Sequence, residues 1–283
     1  MKVLEWNKVY QGDNLPYLQK MIKDGVSFNL ILADPPYNIN KDFGNDTDKM
    51  SVEDFVKGMD ERVSLLKDLL TPNGSIIFFC SQIYVGDMQD ILQKNFCQRR
   101  LNIWYYENGM SRQTHAPVSE FEPFWWFSGS NDSWIYNIDD VRIPYKSERV
   151  KNPVYKYNSK GDRVAWTPNP KGRKHGDVWC HPVLSGKRFE LERTDHPTQK
   201  PESLITEIIQ AFCPKDANNK YAGRVLDPYL GSGTTAVCCE RLNLSQGHSI
   251  KWSGIELESK WVDVANERIK RERDKPVEID IFE

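Results

Sequence analysis

Residues 28–37, Phe28-Asn29-Leu30-Ile31-Leu32-Ala33-Asp34-Pro35-Pro36-Tyr37, join an apolar run directly to two prolines. The apolar run predicts a buried strand. The prolines fix φ near about −65° and remove two backbone donors, so a stiff loop follows the strand. Ligands of open α/β sheets bind at such strand ends. A flat base with an exocyclic amine can stack on Tyr37 and donate hydrogen bonds to Asp34 and the Pro35 carbonyl.

Strand and helix patterns alternate on both sides of this loop. Apolar runs predict strands at residues 9–11, 28–33, 75–79, 101–106, 121–127, 224–226 and 252–256. Helical spacing of apolar residues predicts helices at residues 15–22, 52–70, 84–95, 202–212, 234–241 and 259–272. Such alternation is typical of an α/β fold with a doubly wound, mostly parallel sheet. Between about residues 108 and 195 this rhythm breaks down, which predicts an irregular inserted region.

Composition indicates a globular protein with a sizeable core. The chain has 283 residues, of which 28% are charged and 39% hydrophobic, as in ordinary globular proteins. It has no apolar run long enough to span a membrane and no signal-peptide pattern at its first residues, so we expect a cytoplasmic protein. Its six cysteines form no CxxC pair, which favours reduced thiols. Cys180-His181 lacks a second ligand pair, so no metal site is predicted.

The charge is unevenly distributed. The net charge is −2, yet residues 142–193 contain thirteen Lys/Arg and five Asp/Glu. This segment therefore carries an excess of eight positive charges, interleaved with aromatic residues. Such a segment suits contacts with phosphates, and the alternative is a solvated loop. The polar residues 38–51 predict a loop over the strand ends.

A second turn has the features of a nucleoside site. Asp227-Pro228-Tyr229-Leu230-Gly231-Ser232-Gly233-Thr234-Thr235 follows a predicted strand and opens a helix. Gly231 and Gly233 allow close approach of the backbone to a ligand. Glu256 ends the next strand, where an acid can accept both ribose hydroxyls. The third glycine of the dinucleotide fingerprint and the Lys-Ser/Thr of a P-loop are absent, so the turn suits a nucleoside without a polyphosphate.

Three segments together resemble a known family. They are Asp34-Pro35-Pro36-Tyr37, His196-Pro197-Thr198-Gln199-Lys200-Pro201 and Asp227–Thr235. In this order they resemble the amino-group DNA methyltransferases of the circularly permuted beta class, over roughly residues 5–107 and 195–273. The resemblance implies a seven-stranded methyltransferase sheet with a catalytic half at 1–107, a target-recognition region at 108–195 and a cofactor-binding half at 196–283.

The resemblance also implies S-adenosylmethionine as cofactor. Gly231, Ser232 and Gly233 would approach its methionine moiety, Glu256 its ribose and Asp13 its adenine. Thr198 and Lys200 match the motif that binds the methionine carboxylate. Asp227, Tyr229 and Thr234 complete the predicted cofactor site, and Tyr229 replaces the usual Phe. Plain structural roles stay open: a helix N-cap for Asp13, a cover over a helix start for Lys200, a surface acid for Glu256 and core packing for Tyr37.

The implied reaction is methylation of the N6 amine of an adenine. Asp34, Pro35, Pro36 and Tyr37 form its predicted catalytic loop. The base is out of reach in a duplex and must be flipped out, with Tyr37 replacing its lost stacking. Methylation of cytosine N4 is the nearest alternative, but those enzymes more often carry Ser in place of Asp34. RNA or protein-glutamine methylation, an inactive DNA-binding protein and a nicotinamide dehydrogenase are further alternatives.

Double-stranded DNA is the predicted partner. The basic insertion would contact phosphates, so binding should weaken steeply with salt, and Arg112, Gln113 and His115 would help to read base edges. The resemblance also makes a homodimer plausible, together with a restriction endonuclease as a functional rather than physical partner. No residue pattern in the insertion predicts the recognition sequence.

Overall fold

The computed structural model describes residues 4–41, 48–109, 114–147 and 154–275. The expectations for residues 42–47 and for Arg112 and Gln113 lie outside these ranges. The described strands are β1 (Lys8–Gln11), β2 (Phe28–Ala33), β3 (Leu70–Phe79), β4 (Cys97–Tyr105), β5 (Phe121–Ser128), β6 (Val154–Tyr157), β7 (Arg163–Trp166), β8 (Val178–Cys180), β9 (Arg224–Asp227) and β10 (Lys251–Glu256). The described α-helices are α1 (Asn14–Lys23), α2 (Val52–Leu69), α3 (Val85–Gln93), α4 (Glu202–Phe212), α5 (Thr234–Gln246) and α6 (Ser259–Arg273).

Eight strands form the main sheet, in the order β1-β10-β9-β2-β3-β5-β4-β8. Among the described strands of this sheet, β5 alone runs antiparallel to its neighbours. The predicted doubly wound, mostly parallel sheet is therefore confirmed. Strands β2 and β9 are direct parallel neighbours, with Leu30 opposite Val225 and Ile31 opposite Leu226. The loops that follow these two strands consequently emerge side by side.

Helices cover both faces of the sheet. Leu30 and Leu32 of β2 point into a core that includes residues of α4, α5 and α6. Ile31 and Ala33 point into the opposite core, which includes residues of α1, α2 and α3. Because both faces of β2 are buried, the strand reads as a continuous apolar run rather than an alternating one.

The inserted region contributes more regular structure than its sequence indicated. Strand β5 belongs to the sheet as expected and lies between β3 and β4, and β8 adds an eighth strand at the sheet edge. Strands β6 and β7 form a separate hairpin, so the prediction of irregular structure was wrong for this part of the insertion. The Asn158 side chain organises its turn by accepting hydrogen bonds from the backbone N–H groups of Lys160 and Asp162, both at 2.9 Å.

None of the helices in the described ranges combines the length and the apolar character that crossing a membrane requires.

Candidate active site

The loop after β2 and the turn after β9 line one cavity of about 310 Å³. Binding pockets for small ligands begin at about this size. Twelve of the fourteen predicted site residues line it: Asp13, Asp34, Pro35, Pro36, Thr198, Lys200, Asp227, Tyr229, Gly231, Ser232, Thr234 and Glu256. Tyr37 and Gly233 are not among the lining residues. The adjacency of β2 and β9 brings together motifs that are nearly 200 residues apart in the chain.

Glu256 is held at the cavity wall by backbone donors. Its Oε2 accepts a hydrogen bond from the Gly231 N–H at 2.8 Å, and its Oε1 accepts one from the Glu258 N–H at 2.8 Å. Burial raises the pKa of Glu256 above its ordinary value, and the backbone N–H groups work against that shift. The Gly12 N–H donates to the Glu256 carbonyl at 2.8 Å, which brings the adjacent Asp13 to the same end of the cavity.

Asp13 has a structural role and also lines the cavity. It is the N-cap of α1 and accepts a hydrogen bond from the Leu15 N–H at 2.8 Å. Its carboxylate also lies 3.2 Å from the Arg62 guanidinium of α2. Arg62 in turn donates from Nε to the Asn14 side-chain oxygen at 2.8 Å. The N-cap role is thus confirmed for Asp13, and its predicted contact with adenine stays a prediction.

Arg268 of α6 holds the glycine turn from behind. It donates from Nη1 to the Ser232 carbonyl at 2.7 Å and to Thr234 Oγ1 at 3.2 Å, while Nη2 donates to Glu202 Oε1 at 2.7 Å. Arg268 is only 5% exposed, so this ion pair is largely removed from water. Sequence reasoning missed Arg268. Arg268 lies three residues after Ala265, on the buried face of α6. A charged residue at such a position needs a buried partner, and this pattern could have identified it from the sequence.

The catalytic loop is tied to Lys200. Asp34 Oδ2 accepts a hydrogen bond from Lys200 Nζ at 2.7 Å, and Oδ1 accepts one from the Tyr37 hydroxyl at 2.7 Å. Lys200 Nζ also lies 3.3 Å from Glu122 Oε2. The rings of Tyr37, Phe79 and Trp104 surround the ammonium, with centroids 5.2, 5.1 and 5.8 Å from Nζ.

These contacts qualify two predictions. The ammonium of Lys200 is engaged by Asp34, so its predicted contact with a methionine carboxylate stays a prediction. The Tyr37 ring is 8% exposed and belongs to the core cluster. Core packing is therefore observed for Tyr37, and its stacking on a base stays a prediction.

Comparisons with known proteins agree with this arrangement. The family model described as DNA methylase, of the N6 and N4 type, matches residues 28–267. The chain belongs to this DNA methylase family. The type II methyltransferase M.ScaI of Streptomyces caespitosus is 30% identical, over 93% of this chain and 81% of that protein. The DNA adenine methyltransferase YhdJ of Escherichia coli (strain K12) is 28% identical, over 94% of this chain and 83% of that protein.

A solved structure shares the fold of this methyltransferase. The crystal structure of the M1.HpyAVI-SAM complex superposes with a TM-score of 0.63 and 24% sequence identity, and covers 93% of this chain and 98% of that one. S-adenosylmethionine is the methyl donor of the family to which the chain belongs.

The residues of the cavity fit this cofactor. Asp13 and Glu256 supply carboxylate acceptors for the amine and hydroxyl donors of an adenosine. Apolar side chains offer flat and aliphatic surfaces to a purine ring and ribose, namely those of Phe55, Met59, Tyr229, Leu230, Ile255 and Leu257. The carboxylate of Asp34 suits the positive charge of a sulfonium.

Asp227 of the methyltransferase is a buried acid at the start of the glycine turn. It accepts hydrogen bonds from Thr235 Oγ1 at 2.6 Å and from the Tyr229 N–H at 3.0 Å. Burial raises the pKa of Asp227 to about 7 against the effect of both hydrogen bonds, and the charges of Asp34 and Glu256 add to the rise. Between about pH 4 and pH 7, Asp227 therefore keeps a proton in the folded protein that it has lost in the unfolded chain.

Replacing Asp227 by Asn should make the protein less sensitive to rising pH. Between about pH 4 and pH 7 the folded wild-type protein binds more protons than the unfolded chain, so its stability falls as the pH rises. Asp227→Asn removes this titration. Relative to wild type, its free energy of unfolding should rise by about 2–3 kcal/mol between pH 5 and pH 8. Urea unfolding without cofactor at both pH values measures this difference.

The exposed Asp60→Asn variant is the matched control, because its side chain is 40% exposed. Its difference from wild type should be the same at the two pH values. The same result for Asp227→Asn would contradict the assignment of a proton to Asp227.

His196 lies against the glycine turn and is neutral near pH 7. Burial, together with the charges of Lys200, Arg268 and Lys260, lowers the pKa of His196 to about 4. Its ring packs edge-on against Trp261 with centroids 4.7 Å apart. A side chain at Gly231 would meet His196 Nε2 at 3.0 Å, so glycine permits this close packing. The Thr198 N–H donates to His196 Nδ1 at 3.4 Å, which links the predicted Thr198 to the same wall.

Proposed function

We propose that this chain transfers the methyl group of S-adenosylmethionine to the N6 amine of a flipped adenine at specific sites in double-stranded DNA. One observation carries the proposal: the adjacent parallel strands β2 and β9 end at a single cavity, with the Asp34 loop on one side and the glycine turn on the other. A methyl acceptor at Asp34 and a nucleoside cofactor at the turn would therefore share one space.

The proposed cofactor contacts follow the lining of the cavity. Glu256 binds the ribose hydroxyls and Asp13 the adenine amine. Gly231, Ser232 and Gly233 approach the methionine moiety, whose carboxylate is bound by Thr198 and Lys200. Asp227, Tyr229 and Thr234 complete the site. The fixed backbone contacts of Glu256 and the clamp of Arg268 on the turn support these roles, because a preformed site loses little entropy on binding.

Asp34 and the Pro35 carbonyl would activate the target amine. The amine is a poor nucleophile because its lone pair is delocalised into the base. Two acceptors for its N–H groups favour a pyramidal nitrogen whose lone pair is available. Each oxygen of Asp34 accepts one hydrogen bond in the protein, and a carboxylate oxygen can accept a second. When bound, S-adenosylmethionine supplies an electrophilic methyl group on a sulfonium. The gain in rate comes mainly from positioning and from pre-aligned acceptors.

The insertion at 108–195 is proposed to bind the duplex. Its β6–β7 hairpin exposes Tyr155, Tyr157, Lys156 and Arg163, and the Arg163 guanidinium lies 4.1 Å from the centroid of the Tyr155 ring. Together with the positive excess of residues 142–193, this surface suits a polyanion with stacked bases. A homodimer, a cognate restriction endonuclease and a cytoplasmic location are part of the same proposal.

Adenine is proposed as the target because the loop begins with Asp34. The relative YhdJ, which is named a DNA adenine methyltransferase, supports this choice. Transfer of tritiated methyl groups to duplex DNA, followed by nucleoside analysis, should yield N6-methyladenine. Recovery of N4-methylcytosine alone would contradict the proposed target base but leave methyl transfer intact. Sequencing of methylated host DNA after expression would give the recognition site.

A further inference from the structure

Glu122 lies beside the catalytic loop, yet the reaction as proposed above does not use it. It projects from β5 in the middle of the sheet, opposite Trp104 of β4. Its Oε2 lies 3.1 Å from the Tyr37 hydroxyl and 3.3 Å from Lys200 Nζ. The Glu122 side chain is 29% exposed, whereas Asp34 is 17% and Lys200 5% exposed. Glu122 is therefore the member of this cluster that has most contact with solvent.

The Tyr37 hydroxyl bridges the two carboxylates. It lies 2.7 Å from Asp34 Oδ1 and 3.1 Å from Glu122 Oε2. A phenol has one proton to donate and can accept another at the same time. Burial raises the pKa of Tyr37 well above its ordinary value, and the charges of Asp34 and Glu122 raise it further. The hydroxyl therefore stays protonated, as a group that relays protons must.

We propose that Glu122 is the outlet of a proton relay that runs from Asp34 through the Tyr37 hydroxyl to solvent. The inference rests on the proposed function. As the amine nitrogen forms its bond to the methyl carbon, the carbon–sulfur bond breaks and sulfur keeps the electron pair. The surplus proton on nitrogen passes to Asp34. Asp34 then gives a proton to the Tyr37 oxygen while Tyr37 gives its own to Glu122, and Glu122 releases it to water.

Lys200 sets the direction of the relay. Its ammonium lies 2.7 Å from Asp34 and 3.3 Å from Glu122, so it stabilises the negative charge of Asp34 more strongly. Burial by itself would lower the pKa of Lys200, but Asp34 and Glu122 raise it above its ordinary value, so the ammonium persists. A proton on Asp34 is therefore driven towards Glu122, which restores the ionised Asp34 for the next turnover.

Chemical rescue with formate tests the relay. Methyl transfer over many turnovers is measured at saturating duplex and cofactor, because the relay restores Asp34 between one turnover and the next. Glu122→Gln and Glu122→Ala should each slow it by about 100-fold, as expected for the loss of a positioned proton acceptor. Formate is a small carboxylate that can enter the gap left in Glu122→Ala, and it should restore the rate at least about 10-fold. Chloride at equal ionic strength should not, and neither salt should restore Glu122→Gln.

The Glu61→Gln variant is the matched control, because Glu61 is an exposed residue of α2 that does not line the cavity, and it should react at the wild-type rate. Equal rates for wild type and Glu122→Gln would overturn the relay. A slow Glu122→Ala variant that formate does not restore would also overturn it, because Glu122 would then serve only to position its neighbours. Failure of the wild-type protein to methylate any duplex would overturn the proposed function, and the relay with it.

A measurement without cofactor tests the contact itself. In protein labelled with ¹³C at the tyrosine Cζ atoms, the Tyr37 signal is the one lost in Tyr37→Phe. This signal should move in Glu122→Gln, because its hydroxyl loses a carboxylate partner, and should stay in place in Glu61→Gln. A signal unmoved by Glu122→Gln would overturn the relay irrespective of the methylation assay.

Discussion

Asp34→Ala is expected to reduce methyl transfer by about 10³-fold, the scale on which a single pre-aligned polar group or proton acceptor acts in catalysis. The variant removes the carboxylate that accepts a hydrogen bond from the target amine and then takes up its surplus proton. The Pro35 carbonyl remains but cannot take up a proton. The single-turnover rate with tritiated methyl donor and duplex DNA measures the loss.

The fold should survive this change. Lys200 keeps Glu122 at 3.3 Å and the Tyr37 hydroxyl at 3.1 Å, so its buried charge is not left without a partner. Thermal unfolding of the variant and its binding of cofactor check this point. The surface variant Asp60→Ala removes a carboxylate of the same kind and should react at the wild-type rate. Unchanged methyl transfer by a folded Asp34→Ala protein would refute the proposed role of Asp34.

Gly233→Ala is expected to lower the free energy of unfolding by about 3 kcal/mol. Gly233 caps the N-terminus of α5 with φ of +85°, a conformation that costs an L-residue about 1–2 kcal/mol. An added Cβ would also lie 2.8 Å from the Cβ and 3.0 Å from the Cα of Ala265 in α6. Because α6 is packed against the sheet, relief of this clash costs about 1–3 kcal/mol more. Urea unfolding without cofactor measures the sum.

Gly247→Ala at the other end of α5 separates the two contributions. Gly247 also has a left-handed φ, of +62°, but an added Cβ would meet no atom of the described residues within 4 Å. This control should therefore lose only about 1 kcal/mol, the cost of the backbone conformation. If both variants lost the same free energy of unfolding, the close approach of Gly233 to Ala265 would add nothing to the cost of a side chain at Gly233.

Much of the site followed from sequence because its residues occupy strand ends. Asp34, Asp227 and Glu256 each lie at or directly after the end of a strand, and the strands are parallel, so their ends lie at one edge of the sheet. The missed residues contact the site from distant positions. Glu122 approaches Tyr37 across 85 residues, and Arg62 approaches Asp13 across 49. No local pattern reports which distant charge completes a cluster.

The hairpin in the insertion was missed for a different reason. Strands β6 and β7 are four residues each, too short for alternation of polar and apolar residues to stand out. The turn between them is stabilised by hydrogen bonds from the Lys160 and Asp162 N–H groups to the Asn158 side chain. An asparagine makes such hydrogen bonds in many polar loops, so its presence alone does not predict a hairpin. Charge and aromatic content predicted a nucleic-acid surface, but its shape required the pairing of β6 with β7.

The sequence by itself determined the local geometry and chemistry of the site. Two prolines stiffen the loop behind Asp34, glycines at 231 and 233 admit left-handed backbone, and buried apolar runs specify strands. These properties depend on neighbouring residues alone. Only the tertiary structure decided that β2 lies beside β9, that Lys200 binds Asp34, and that Tyr37 bridges Asp34 to Glu122. Such partners are selected by packing across the sheet, where the burial of one charge requires another within a few ångströms.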